Sequence, residues 1–135
     1  MTRPVVLYAC IHNSGRSVAA LYLTRHLFPG LDARSAGSEP GTAVNPGVAA
    51  VLAERGISVA DHTPSLLTFE GVQEADVVIT MGCGETCPVF PGKTYEDWPV
   101  DDPKGQDLDT DRRIVDDVEA RVRELASRLL LDMTT

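Results

Sequence analysis

The residues best suited to chemistry lie in a short loop that begins at a cysteine and ends at an arginine and a serine. Five residues separate Cys10 from Arg16, and Ser17 follows directly. A cysteine at a helix N-terminus or beside a cation favours the thiolate, which is the nucleophilic form of the sulfur. Arginine presents a planar fork that matches two oxygens of a tetrahedral anion. The loop therefore predicts a thiolate nucleophile that faces a bound oxyanion.

The residues between Cys10 and Arg16 suit a tight anion-binding turn. Gly15 permits a tight backbone path, and Asn13 tolerates a left-handed conformation and can hydrogen-bond across the loop. Ser17 can donate its hydroxyl to the sulfur, whereas His12 is expected to shape the loop rather than act as a base. The loop is not a nucleotide P-loop, because the Gly-Lys-Ser/Thr ending is absent. The predicted oxyanion-binding residues are Ile11, His12, Asn13, Ser14, Gly15, Arg16 and Ser17.

Hydrophobic patterning places this loop between a strand and a helix. Short apolar runs predict strands over residues 5–9, 31–36, 75–81 and 93–98. Apolar residues at helical spacing predict helices over residues 17–28, 45–55 and 110–131, with a short helix opening at residues 62–64. Asn45 is the expected cap of the second helix, and Asp109 or Thr110 that of the last. Alternating strands and helices favour an α/β fold with a parallel sheet, whose ligands bind beyond the carboxyl ends of the strands.

The composition limits the classes of partner and compartment. The 135 residues suit one domain, residues 1–135, and no segment is apolar enough to span a membrane. A net charge of −8 argues against nucleic acid as a partner, so a bound anion needs a strong local site. With no basic stretch followed by an apolar segment at its start, the chain is expected in the cytoplasm, as a monomer. Three cysteines in such a chain favour catalysis, redox chemistry or metal binding over structural disulfides.

The loop over residues 10–17 resembles the signature loop of the low-molecular-weight tyrosine phosphatases and of the arsenate reductases built on that fold. The resemblance covers nearly the whole chain, and further matching segments are Ser35-Ala36-Gly37, Val44-Asn45-Pro46, His62-Thr63 and Asp102-Pro103. It implies a Rossmann-like, four-stranded parallel sheet flanked by helices. It also implies that Asp102 is the general acid. Aromatic residues follow this Asp-Pro pair in the phosphatases, but Lys104-Gly105 follows it here, which favours a small inorganic oxyanion.

Two further cysteines, Cys83 and Cys87, separate the two branches of that family. Cys83 follows a predicted strand, so it is expected at the same edge of the sheet as Cys10. The resemblance implies that Cys83 resolves the arsenate adduct of Cys10 and that Cys87 then takes over the disulfide. Thioredoxin would reduce the resulting disulfide. Arsenate and arsenite are accordingly the predicted substrate and product.

Alternative functions stay open at this point. An arsenate–mycothiol transferase would need Cys10 alone, with mycothiol and mycoredoxin as reductants. A low-molecular-weight tyrosine phosphatase would also need no second thiol, and a non-catalytic thiol- or metal-sensing module is the third candidate. A zinc site at Cys83 and Cys87 is disfavoured, because the spacing is poor and no histidine or second cysteine pair lies nearby.

A monovalent cation site occurs in some thioredoxin-coupled members of the family that the chain resembles. The resemblance implies potassium ligands at Asn13, at a glutamate in the first helix, at a serine in the second strand and at an aspartate after His-Thr. Asn13 and Ser35 match, but Leu21 and Ser65 stand at the two acidic positions. The sequence therefore predicts no metal and no cofactor.

Overall fold

Four parallel strands form the centre of the protein in a computed structural model, which describes residues 3–82 and 93–134. The strand order is β2-β1-β3-β4, and each neighbouring pair is parallel. The strands are β1 (Val5–Cys10), β2 (Asp32–Gly37), β3 (Val77–Met81) and β4 (Thr94–Asp97). The helices are α1 (Arg16–Leu27), α2 (Pro46–Glu54), α3 (Phe69–Glu74) and α4 (Leu108–Thr134). The predicted four-stranded parallel sheet flanked by helices is confirmed.

The two faces of the sheet are covered unequally. Successive residues of a strand point to opposite faces, so Val6 and Tyr8 join one apolar cluster and Leu7 joins another. The larger cluster includes side chains from α1, α2 and α4, and the smaller one includes Val72 and Ala75 at α3. In the described part of the chain, no helix is both long and apolar enough to cross a membrane.

Residues 62–64 do not open a helix, so that prediction is wrong. The segment that follows runs alongside β2 instead, because Gly37 donates to the Ser65 carbonyl and accepts from the Leu67 N–H, both at 2.8 Å. The short helix α3 begins later, at Phe69. Its cap is Thr68, whose hydroxyl accepts the Gly71 N–H at 3.0 Å.

Helix α4 begins earlier than its pattern indicates. It starts at Leu108, and Asp107 accepts the Thr110 N–H at 2.8 Å. Asp107 is therefore the cap, not Asp109 or Thr110. The cap of α2 is Asn45, as expected, since its Oδ1 accepts from Gly47 and Val48.

Candidate active site

Cys10 ends the central strand β1, and its sulfur is held by a directed chain of hydrogen bonds. The Asn13 side-chain N–H donates to Ser17 Oγ at 2.8 Å, and Ser17 Oγ lies 2.9 Å from Cys10 Sγ. Because the serine oxygen already accepts from Asn13, its own proton is free to point at the sulfur. All three residues are buried, with exposed fractions of 0% for Asn13 and Ser17 and 3% for Cys10. A donated hydrogen bond of this kind stabilises a thiolate.

The loop over residues 11–15 turns its carbonyl groups away from the cleft. The carbonyls of Ile11, His12 and Ser14 accept from the backbone N–H groups of Glu39, Gly41 and Asn45 at 2.7–2.9 Å. Among the described residues, no protein acceptor takes the backbone N–H groups of residues 12–17. Such unpaired N–H groups at the start of a helix, here α1, form an anion site. The loop therefore offers N–H donors beside the sulfur.

Asn13 fixes the shape of this loop. Its backbone is left-handed, with φ of 50°, and its Oδ1 accepts the Ser65 N–H at 3.1 Å. His62 Nε2 lies 3.4 Å from the Asn13 carbonyl oxygen, which only a protonated ring nitrogen can satisfy. Gly37 lets the loop lie close to β2, because a Cβ at this position would come 2.6 Å from the Ile11 carbonyl oxygen.

His62 is a half-buried imidazole beside the loop over residues 10–17. Its ring meets that of Tyr22 edge-on, with centroids 5.6 Å apart. Burial lowers the pKa of His62, the hydrogen bond with the Asn13 carbonyl opposes that shift, and the charge of Arg25 lowers the pKa further. The neutral ring is therefore favoured near neutral pH.

The His12 ring is bound to the backbone of a neighbouring segment. Its Nδ1 lies 2.9 Å from the Glu39 carbonyl oxygen, so this nitrogen carries a proton and is occupied. The ring is thereby tied to the segment after β2, in keeping with the expected loop-shaping role.

Arg16 extends along the edge of the sheet at the carboxyl ends of the strands. Its Nη1 donates to the Val100 carbonyl at 3.3 Å, and its Nη2 lies 3.9 Å from Asp102 Oδ2. The guanidinium also lies against Gly82, where a Cβ would come 2.8 Å from Nη1. Gly82 has φ of +93°, a conformation that favours glycine. The loop patterns alone did not indicate the contacts with Val100 and Gly82, since both depend on tertiary structure.

A cleft of about 550 Å³ opens above Cys10. One wall is the Asp102-Pro103 segment, which packs closely on the loop, because a Cβ on Gly15 would come 2.8 Å from Pro103 Cγ. Asp102 is half exposed at 53%, and its Oδ1 accepts the Lys104 N–H at 3.0 Å. No phenylalanine, tyrosine or tryptophan is among the described lining residues, which are Cys10, His12, Ser14, Gly15, Arg16, Gly41, Thr42, Ala43, Val44, Asn45, Pro46, Asp102, Pro103 and Lys104.

The structure brings together Cys10, Arg16 and Asp102 in this cleft, as the sequence indicated. Cys83 and Cys87 lie outside the described residues, so their predicted place and roles stay predictions. The missed contributors to the cleft wall are Gly41, Thr42 and Ala43, which lie in a turn-rich loop and carry no chemical signal of their own.

The residues that the resemblance places around a potassium ion offer no carboxylate here, since Leu21 and Ser65 stand at the two acidic positions. Asn13 Oδ1 accepts from the Ser65 N–H, and the Ser65 hydroxyl donates to the Ser35 carbonyl at 3.1 Å. Leu21 is buried and offers no oxygen. Within residues 3–82 and 93–134, no group of three or more His, Cys, Asp or Glu side chains could hold a metal ion.

Fold and cleft together define the class of protein. The family model of the low molecular weight phosphotyrosine protein phosphatases matches residues 5–134, so this chain belongs to that family. The resemblance inferred from the residues 10–17 loop is thereby confirmed.

Similar proteins include both arsenate reductases and a phosphatase. Arsenate reductase 1 of Staphylococcus epidermidis is 31% identical over 134 residues, which cover 96% of this chain and 100% of the relative. The solved thioredoxin-dependent arsenate reductase of Corynebacterium glutamicum is 38% identical with a TM-score of 0.82, covering 96% of this chain but 63% of that longer chain. The YwlE arginine phosphatase of Geobacillus stearothermophilus is 26% identical with a TM-score of 0.84, covering 97% and 96% of the two chains.

Proposed function

We propose that this protein, as a single-domain monomer in the cytoplasm, reduces arsenate to arsenite. The observation that carries the proposal is the cleft above Cys10. Its sulfur accepts a directed hydrogen bond from Ser17, and the unpaired N–H groups of residues 12–17 surround the place where an oxyanion would lie. The likeness to named arsenate reductases supports the choice of oxyanion.

The first step is attack of the Cys10 thiolate on the arsenic of arsenate. A sulfur–arsenic bond forms, and one arsenic–oxygen bond breaks. Asp102 acts as the general acid for the departing oxygen, which leaves as water. Arg16 and the loop N–H groups hold the remaining oxygens and stabilise their negative charge.

The second step moves two electrons to arsenic. The thiolate of Cys83 attacks the Cys10 sulfur, and the electron pair of the sulfur–arsenic bond goes to arsenic, which leaves as arsenite. A disulfide between Cys10 and Cys83 remains. Cys87 then attacks Cys83, which releases Cys10 as a thiolate and leaves a disulfide between Cys83 and Cys87. Cys83 follows Gly82 in the sequence, and Gly82 contacts Arg16 of the cleft, which supports this assignment.

A dithiol reductant of the thioredoxin type then restores the two cysteines. The alternative is transfer of the arsenic adduct from Cys10 to mycothiol, with mycoredoxin completing the reduction. The two schemes differ in whether Cys83 and Cys87 are required.

Single-turnover arsenite release tests the relay directly. Wild type, Cys83→Ser and Cys87→Ser are mixed with arsenate in the absence of small thiols, and disulfides are mapped by mass spectrometry. We expect no arsenite from Cys83→Ser, and one equivalent from Cys87→Ser with a trapped disulfide between Cys10 and Cys83. Cys10→Ser is the inactive control. Normal turnover of both variants with mycothiol would support the transferase instead.

Phosphatase activity, which hydrolyses the P–O bond of a phosphate ester or the P–N bond of phosphoarginine, is the second candidate function. It is favoured by the likeness to an arginine phosphatase and by the same cleft, which suits phosphate as well as arsenate. Lys104 at the mouth and the absence of aromatic lining among the described residues count against a bulky aryl ester. A steady-state assay with small aryl phosphates and with phosphoarginine compares wild type and Cys87→Ser. Efficient turnover by both, with no arsenite formed from arsenate, would favour the phosphatase.

A further inference from the structure

A buried carboxyl group that the proposed reaction does not use lies behind the wall of the cleft. Asp111, in the first turns of α4, is 2% exposed. Its Oδ1 is the one buried side-chain oxygen or nitrogen among the described residues that has no hydrogen-bond partner. Buried polar atoms nearly always have partners, so an unpaired one calls for an explanation.

The Asp111 carboxyl lies against the start of α2. A Cβ on Gly47, the second residue of that helix, would overlap the carboxyl group. Asp111 lies in the first turn of α4 and against the first turn of α2, and helix N-termini favour negative charge. Burial acts in the other direction and raises the pKa of Asp111, and the charge of Asp107 adds to that rise.

The start of α2 is also a wall of the oxyanion cleft. The Asn45 N–H donates to the Ser14 carbonyl at 2.7 Å, and the Asn45 side chain caps α2 at Gly47. A second cavity lies on the other side of this wall, and its lining shares three residues with the cleft. Those shared residues are Asn45, Pro46 and Pro103, and Asp111 lines the second cavity.

We propose that Asp111 is a positioning residue for the oxyanion cleft. Its carboxyl group fits against Gly47 and fixes where α2 begins relative to α4. That contact sets the position of Asn45. The hydrogen bond from Asn45 to the Ser14 carbonyl then sets the position of the loop carbonyls. The interaction depends on matched shape, since the carboxyl occupies the space that any side chain at residue 47 would need. The inference rests on the proposed oxyanion site.

Inorganic phosphate is the probe for this role. Its Kd is measured by the protection it gives Cys10 against iodoacetamide, followed by mass spectrometry of the peptide that contains Cys10. The variants are Asp111→Ala, the isosteric Asp111→Asn, Gly47→Ala, and Gly47→Ala combined with Asp111→Ala. The matched control is Asp117→Asn, because Asp117 lies on the same helix and pairs with Arg121 there. It removes the same charge from a residue whose ion pair lies within α4.

We expect phosphate Kd to rise by about tenfold in Asp111→Ala and in Gly47→Ala, since small misplacements of a site are costly. Asp111→Asn should remain close to Asp117→Asn, because it keeps the volume and shape of the side chain. The double variant should bind phosphate more tightly than Gly47→Ala, because the overlapping oxygen has been removed. Thermal unfolding is recorded for each variant, and Asp111→Ser replaces Asp111→Ala in both arms if the alanine variant does not fold.

Three results would overturn the role of Asp111. They are an unchanged Kd in Gly47→Ala, a Kd for Asp111→Ala equal to that of Asp117→Asn, and a double variant no better than Gly47→Ala. Failure of phosphate to protect Cys10 in the wild type would instead contradict the proposed oxyanion site itself, so the two failures are distinguishable.

Discussion

The amide of Asn13 orients the hydrogen bonds beside the Cys10 sulfur. Asn13 has an N–H group on Ser17 Oγ and an oxygen on the Ser65 N–H, so its orientation is fixed at both ends. When Cys10 is a thiolate it has no proton to give, so Ser17 is then the donor in this contact.

Loss of the Ser17 hydroxyl should therefore slow the chemistry of Cys10. A hydrogen bond to a charged group is worth about 1.5–3 kcal/mol, so we expect Ser17→Ala to slow iodoacetamide alkylation of Cys10 by about tenfold or more near neutral pH. Thr24→Ala is the matched control, because Thr24 is a buried hydroxyl of the same helix that bonds Tyr8 instead. Equal alkylation rates in Ser17→Ala and wild type would show that Ser17 does not stabilise the thiolate.

His62 should make folding stability depend on pH. Burial and Arg25 lower the pKa of His62 in the folded protein, despite the hydrogen bond to the Asn13 carbonyl. The unfolded chain therefore binds the proton more readily, and stability falls as pH drops below the ordinary histidine value of about 6.5. The loss levels off below the folded pKa. Above the unfolded value both states are neutral, and His62 contributes no slope.

Urea unfolding between pH 5 and pH 8 measures this slope. In His62→Phe, which keeps an aromatic ring against Tyr22 but cannot titrate, the part of the slope due to His62 should disappear. His26→Gln removes an exposed histidine of α1 and should leave that part in place. A slope that is the same in His62→Phe and wild type would contradict the prediction.

Among the helices and strands, the sequence predicts those features that depend on residues close together in the chain. The strand over residues 5–9 and the helix cap at Asn45 follow from apolar runs and turn chemistry, and both are present. Helix α3 is missed because its six residues bury only Val72, too few to form a recognisable period. The start of α4 is misplaced because several acidic residues in succession can each serve as a cap.

The ends of the strands carry a contact that no local pattern encodes. Gly82 closes β3 with a positive φ and also makes room for the Arg16 guanidinium. Gly56 has a positive φ as well, but a Cβ there would meet nothing within 4 Å. Comparing the same substitution at the two glycines therefore separates the effect of backbone strain from the effect of the contact with Arg16.

Alanine at these two positions should affect stability alike and anion binding differently. Each substitution should cost about 1–2 kcal/mol of unfolding free energy through the left-handed backbone. Only Gly82→Ala should weaken phosphate binding, by about tenfold, because it displaces a charged donor. Denaturant unfolding and protection of Cys10 by phosphate measure the two effects. Equal phosphate affinity in Gly82→Ala and Gly56→Ala would mean that the guanidinium does not need this glycine.

For the whole molecule, the charge balance and the site oppose each other. A net charge of −8 disfavours an anion at long range, so in the proposed site the N–H groups at the start of α1 and Arg16 must overcome that field. Composition alone indicated that such a local site was needed. It could not show that Asp102 lies 3.9 Å from the same arginine, or that Asp111 lies buried behind the cleft, because acidic residues in a loop or helix usually face solvent.

Anion binding should stabilise the entire fold through the same arginine. A ligand that binds only the folded state at 100 times its Kd adds about 2.7 kcal/mol to the unfolding free energy. For a domain of this size, that gain corresponds to a rise in Tm of roughly 10 °C.

We expect inorganic phosphate to produce such a rise in the wild type and little rise in Arg16→Met. Arg113→Met is the control of equal charge, since Arg113 is an exposed residue of α4 that bonds Thr110, and it should respond to phosphate as the wild type does. Differential scanning calorimetry over a phosphate series measures the shift, and an equal rise in all three proteins would place the stabilising anion outside the cleft.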